Sequence, residues 1–263
     1  MAHVSALVGH SGFVGGNIER QHRFDALYNT KNIGEIAGKS FDLLVLSATQ
    51  AKRWWANLHP EEDREGIDRL IESLKGVTAR QAVLISTIDV LPQQFPRVDE
   101  DFDPAGHENH AYGANRFYLE GVLREQFPSL TIVRLPSLFG HGLKKNVIYD
   151  LLNNNQVEKI NPASSFQYYD LAALWENIET AMRHRLPIVH LFPAPVTSEQ
   201  IIDRYFPEAK SAAGTDAGAA SHYDFKTKYS SLFGGADGYL WTVHEVMRRL
   251  GIFIEGYRRG EIR

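Results

Sequence analysis

The sequence predicts an α/β protein: a doubly wound parallel sheet followed by a small C-terminal lobe. Two observations predict it. Short apolar runs alternate with longer stretches of helical spacing through most of the chain, the pattern of parallel strands joined by crossover helices. The first of these runs also passes at once into clustered glycines and then into a helical segment.

Taken in order, Val4-Ser-Ala-Leu-Val8 reads as a buried strand and Phe13 to Gln21 as the helix behind it. Asp25-Ala-Leu-Tyr28 is a second strand and Phe41-Asp-Leu-Leu-Val-Leu46 a third. Asp63 to Leu74 carries Ile67, Leu70, Ile71 and Leu74 at helical spacing. Gln81 to Ile85 is the fourth strand, Ala111 to Gln126 a long helix, Leu130 to Arg134 the fifth strand and Pro187 to Leu191 the sixth. The Ala- and Gly-rich stretch Ala212 to Ala220 reads as a mobile loop. With 263 residues the chain is long for one compact domain and short for two. The expected division is a core of residues 1–142 plus 166–192 and a substrate-binding lobe of 143–165 plus 193–263.

Composition narrows the function classes. At 43% hydrophobic and 23% charged the chain can bury a sizeable core. A net charge of −4, from 28 Lys+Arg against 32 Asp+Glu, offers no basic stripe to nucleic acid or anionic lipid. With no cysteine there are no disulfides, thiolate chemistry or Cys-ligated zinc. No secretory signal or bilayer-length apolar run is visible, and the expectation is a cytoplasmic protein that engages a small molecule, not nucleic acid or membrane. His107-Glu-Asn-His110 lacks the spacing that puts two ligands on one helical face, so no metal site is expected. No Gly-x-Ser-x-Gly hydrolase signature occurs either.

After the first strand comes Gly9-His-Ser11-Gly12-Phe13-Val14-Gly15-Gly16. Glycines here let the chain turn tightly, let backbone approach a pyrophosphate and let a helix pack close to the sheet. The phosphates then meet the free N–H groups and positive dipole end of the helix. A strand before and a helix after supply the context this motif requires.

The spacing Gly-x-x-Gly-x-x-Gly resembles that of the extended short-chain dehydrogenases/reductases, the sugar-nucleotide epimerase/dehydratase family. Further segments resemble the family in the same order: Ser47-Ala48-Thr49 at the third strand's end, Ile85-Ser86-Thr87 at the fourth, Tyr112-Gly-Ala-Asn-Arg116 where the family has Tyr-x-x-x-Lys, Val133-Arg-Leu-Pro136-Ser137-Leu-Phe-Gly140, and Phe166-Gln-Tyr-Tyr-Asp170. The resemblance implies a Rossmann-type fold with bound NAD(P). It places Gly9, Ser11, Gly12, Phe13, Val14, Gly15, Ser47, Ala48, Thr49, Ser86, Pro136 and Ser137 beside the cofactor. It makes Tyr112 the general acid/base, Thr87 the hydroxyl that orients the substrate oxygen, and Arg116 the cation. Relatives often dimerise through helices like Ala111 to Gln126, which makes a homodimer an expectation from resemblance alone.

The residues bear on this in their own right. A free phenol has a pKa near 10, and a cation within hydrogen-bonding distance lowers it by about one to three units. Positions 112 and 116 share a helix face. Arginine keeps lysine's charge but has a larger planar fork that cannot be deprotonated, so a dinucleotide-binding protein with little or no turnover stays open beside an oxidoreductase or epimerase. The family's dehydratases place an Asp-Glu pair after the Ser/Thr. Here Ile88 and Asp89 follow, and isoleucine cannot protonate a leaving hydroxyl, so dehydration is not expected. Asp89 is a weak auxiliary-base candidate.

The second strand ends in Tyr28-Asn29-Thr30-Lys31 without the carboxylate that NAD-specific sites offer the ribose. Asn29 and Thr30 can bond a ribose or a phosphate and Lys31 can pair a 2′-phosphate, which leans the choice toward NADP. Trp54 and Trp55 are candidates to wall the substrate pocket, and Lys144 and Lys145 to meet an anionic group. Ser164 and Ser137 stand where relatives carry arginine and asparagine, which argues against assuming a nucleoside-diphosphate sugar.

Overall fold

Apolar runs too short for helices and flanked by turn residues pair as strands. In chain order the computed structural model, which describes residues 4–262, has Ser5–Val8 (β1), Phe13–Gln21 (α1), Ala26–Tyr28 (β2), Ser40–Leu46 (β3), Arg53–Leu58 (α2), Pro60–Ser73 (α3), Thr78–Thr87 (β4), Ala111–Gln126 (α4), Leu130–Leu135 (β5), Ser137–Phe139 (β6), Val147–Asn153 (α5), Ser165–Phe166 (β7), Tyr168–Asp170 (β8), Leu174–Arg183 (α6), Ile188–His190 (β9), Val196–Thr197 (β10), Ser198–Tyr205 (α7) and Val243–Arg258 (α8). The chain forms two compact units. The first takes the chain through Phe95 together with Glu100–Leu135 and Leu174–His190, and the second takes Pro96–Asp99, Pro136–Ala173 and the chain from Leu191 onward.

The first unit is built on a six-stranded sheet of order β2-β1-β3-β4-β5-β9, parallel at every pairing. Successive residues of a strand face opposite sides. Ala6, Val8, Leu44, Leu46, Ala82, Leu84 and Ile132 cluster with Ile67 of α3 and Leu119 and Leu123 of α4. The alternate positions Leu7, Val45, Val83 and Val133 are equally buried, and Ile18 and Ile178 of α1 and α6, which pack on each other, lie outside that cluster. The sheet is therefore covered on both faces, and its strands read as continuous apolar runs for that reason. One polar group crosses the layer. Arg134 donates to both carboxylate oxygens of Glu120 (3.0 and 2.6 Å) and to His190 Nε2 at 3.2 Å, and Ser86 Oγ donates to Glu120 at 2.5 Å.

In the second unit β6 pairs in parallel with β8, and β10 antiparallel with β7. The sequence reading kept residues 136–142 and 166–173 with the core, but these strands pair with each other and belong to this unit. Buried Gln167 satisfies three backbone groups, donating to the Pro193 and Phe225 carbonyls and accepting from Phe225 N–H. The stretch read as a mobile loop is pinned: Asp216 N–H donates to Glu158 O and Asn161 Nδ2 to Gly218 O, both within 2.9 Å. Among the described residues no helix is long and apolar enough to cross a membrane.

Candidate functional site

Parallel strands end on one edge of their sheet, and in this strand order the chain reverses direction between β1 and β3. Ligands of such sheets bind outside the carboxyl ends at that switch. Gly9 follows β1 there. Its φ is +87° and a Cβ on it would collide with the Ser47 carbonyl that follows β3. A Cβ on Gly15 would collide with the Gly9 carbonyl, so the glycine is what lets α1 start against the turn. Gly9 N–H donates to Tyr28 O and Gly12 N–H to Gly9 O. Gly12 is the N-cap of α1 and gives its free N–H groups no side-chain partner. Ser11 and Gly12 are exposed, and Phe13 and Val14 half-buried. A backbone cradle closed to Cβ atoms, at an uncapped helix start, fits a diphosphate.

The end of β2 is organised by a residue that the sequence reading passed over. His10, inside the glycine turn, accepts from Asn29 Nδ2 at 3.0 Å and donates to Glu19 at 3.2 Å. Asn29 also accepts from Lys31 N–H at 2.9 Å. Thr30 and Lys31 are exposed. After β3, Ser47 N–H donates to Val8 O, Ala48 is half-buried, and Thr49 holds φ 137°, a strained value for a β-branched residue.

Thr87 ends β4 and Tyr112 opens α4. Gly113 brings them together: its Cβ would collide with the Asp89 carbonyl, so the first turn of α4 packs directly on the turn after β4. Asn109 ties the same place, donating to the Asp89 and Val90 carbonyls. His110 caps the helix by accepting from Gly113 N–H, and Asn57 of α2 accepts from Tyr112 N–H at 2.9 Å. The Thr87 hydroxyl, which accepts from Asp89 N–H at 3.2 Å, stands close enough to the Tyr112 phenol to favour its ionised form. Tyr112 is 8% exposed.

Arg116 is 4% exposed and spoken for. One terminal nitrogen pairs with Asp63 of α3, the other donates to Gln50 O at 2.6 Å, and the guanidinium lies over the Tyr112 ring, 3.9 Å from its centroid. Asn115 donates to the same Asp63 oxygen at 2.9 Å. Burial pushes the phenol of Tyr112 above its ordinary value; Arg116 and the nearby Thr87 hydroxyl oppose this, while Asp89 and Asp63 add to it. The lowering that a cation four residues on would give is therefore outweighed: desolvation penalises the phenolate, and Asp63 stands beside the cation.

Other expected residues are placed as follows. Ser86 turns its hydroxyl to Glu120. Asp89 is no solvated loop charge: it pairs with Arg53 at 3.4 Å and His110 at 3.6 Å. Trp54 and Trp55 lie on α2, a short helix absent from the sequence reading. Trp54 is 67% exposed and Trp55 stacks on His59. In the second unit, Pro136 is buried and Ser137 N–H donates to Gln167 O. Exposed Lys144 lines a depression of about 620 Å³ with Tyr149, Tyr257 and Arg258, and Lys145 is also exposed. Ser164 Oγ accepts from Ser221 N–H at the wall of a cavity of about 260 Å³ shared with Asp150, Phe166 and Ser198. His107 packs among Phe95 and Phe102. Among the described residues no group of three or more His, Asp or Glu is arranged to hold a metal ion.

No family model matches this chain, and no curated protein matches it in sequence. Solved structures match it along almost its whole length. MoeE5 in complex with UDP-glucose and NAD aligns with a TM-score of 0.72 at 14% identity, over 98% of this chain and 99% of that one. The dTDP-4-dehydrorhamnose reductase of Bacillus anthracis in complex with NADP aligns at 0.72 and 16%, over 96% and 98%. TunA, an NAD-dependent NDP-hexosamine 5,6-dehydratase, aligns at 0.70 and 13%, over 98% of each. Likeness at such identities establishes architecture: the chain is a Rossmann-fold α/β protein.

Proposed function

We propose that this chain is an NAD(P)-dependent oxidoreductase or epimerase that moves a hydride to or from an oxygen-bearing carbon of a hydroxylated or carbonyl substrate, with sugars the leading class. The observation that carries the reading is that Gly113 seats the first turn of α4, with buried Tyr112, directly on the turn that follows Thr87 at the end of β4, on the same sheet edge as the Gly9 turn. A bound nicotinamide dinucleotide supplies or accepts the hydride. Gly9, Gly12, Gly15 and the first N–H groups of α1 hold its diphosphate, and Asn29, Thr30 and Lys31 meet the adenosine ribose. Ser47, Ala48 and Thr49 line the turn beside it. Tyr112 exchanges a proton with the substrate oxygen, and Thr87 orients that oxygen. Lys31 and half-buried His10 at the ribose end favour NADP, with no carboxylate in the Asn29–Lys31 turn to repel a 2′-phosphate. Ile88, buried and apolar, leaves no acid next to Thr87 for water elimination.

The test is nicotinamide absorbance with a panel of sugars and nucleotide sugars. Tyr112→Phe is expected to lose at least about 100-fold in turnover while keeping cofactor affinity. Activity unchanged in that variant refutes Tyr112 as the acid/base. The engagement of Arg116 by Asp63 favours a second reading, a dinucleotide-binding protein without turnover. Binding of NADPH with no oxidation on any panel member selects it.

A further inference from the structure

Lysine at position 116 would bring a compact cation to the site, and the arginine here does something else. Its terminal nitrogens are committed to Asp63, the Gln50 carbonyl and, at 3.4 Å, the Tyr112 carbonyl. Its Nε, buried, has no partner. The guanidinium thus spans the face of the phenol ring and hydrogen-bonds to three acceptors, none of which is the phenol oxygen. Asp63 is itself buried and takes Asn115 as a second donor, which locks it toward α4.

We propose that Asp63 is a positioning residue of the Tyr112 centre: it holds Arg116 over the ring and balances its charge, so that Tyr112 stays a protonated phenol that donates to a substrate carbonyl oxygen. This rests on the reading of Tyr112 as the acid and gives that reading a direction, carbonyl reduction at neutral pH. The balance is complete. A bound reduced nicotinamide would supply the hydride, its own C–H bond breaking as the new one forms and leaving the oxidised dinucleotide; the carbonyl π pair becomes the oxygen's, the phenol O–H breaks to protonate it, and the phenolate regains a proton from water. The charged groups facing the phenol are Arg116 on α4, Asp63 on α3, and Asp89 after β4, which is paired with Arg53 and His110. The His110 ring stands 6.3 Å from that of Tyr112. Only the first pair is altered in the test.

The experiment reads tyrosinate absorbance of the cofactor-free protein against pH, subtracting the Tyr112→Phe form in each background. Asp63→Asn keeps shape and removes the charge. It is expected to show about tenfold more Tyr112 phenolate at a given pH near 10 than the parent. An onset unmoved or moved upward overturns the proposal. Should that variant fail to fold with an unpaired buried arginine, Asp63→Asn with Arg116→Gln removes both charges. A Tyr112 onset within about half a unit of the parent supports mutual balance, and a clear rise shows that Arg116 was acting on the phenol and overturns it. A merely structural Asp63 would not move this titration in folded protein. NADPH binding by fluorescence is read in parallel: absent binding sinks the proposed function, whereas intact binding with an unmoved onset sinks only the role of Asp63.

Discussion

At the scale of single residues, one hydrogen atom decides whether the glycine turn closes. Gly15 has no room for a methyl against the Gly9 carbonyl. Gly15→Ala is expected to shift α1 and to weaken NAD(P)H affinity at least about tenfold, about 1.4 kcal/mol, as measured by fluorescence titration. In the turn after β2, Lys31→Glu is expected to lower NADPH affinity far more than NADH affinity. Equal losses on both would take Lys31 out of the ribose pocket. Tyr112 and Thr87 were legible because each sits in a local pattern, a helix start and a strand end. Asp63, Asn57 and His10 were not. Asp63 meets Arg116 from 53 positions away and Asn57 meets Tyr112 from 55, and nothing in the spacing of an acidic helix marks which of its carboxylates turns inward.

At the scale of elements, α4 was read with its observed bounds, Ala111–Gln126, because a long helix declares itself by period. The six residues of α2 span under two turns, too few to show one. The helix α4 is bolted to β5 by the buried pair of Glu120 and Arg134, 0% and 1% exposed. Glu120→Ala leaves the arginine charged and unpaired, and urea unfolding is expected to show a loss of about 3–5 kcal/mol. At the start of α8, Glu245 is held down to about 2, by its hydrogen bonds from Arg248 first, against the opposing effect of burial, with the charges of Arg249 and Arg248 adding to the lowering. A carboxylate whose folded pKa is depressed adds stability that is present above its ordinary pKa and lost as pH falls through the folded one. The stability curve is therefore expected to decline between about pH 4.5 and 2, and Glu245→Gln to flatten that limb. A limb of unchanged slope in the variant would assign the acid sensitivity to other groups.

For the whole molecule, a ligand that binds only the folded state raises the melting temperature by an amount that grows with the logarithm of its excess over Kd. At a hundredfold excess over Kd the dinucleotide is expected to add about 2.7 kcal/mol, or roughly 5–10 °C. A calorimetric scan with NADPH, NADH and neither measures this and ranks the two cofactors at once. Two flat traces would contradict the proposed site.

The sequence alone determined the class of the sheet, its strands, the glycine turn and the helix that carries Tyr112. These follow from periodicity and from backbone geometry that only glycine allows, and both are written locally. The tertiary structure decided which partner Arg116 takes, where Ser86 points and which way burial moves the phenol of Tyr112. Those depend on burial and on contacts between segments far apart in the chain, and the energy of a charge is set by what surrounds it, not by its neighbours in sequence.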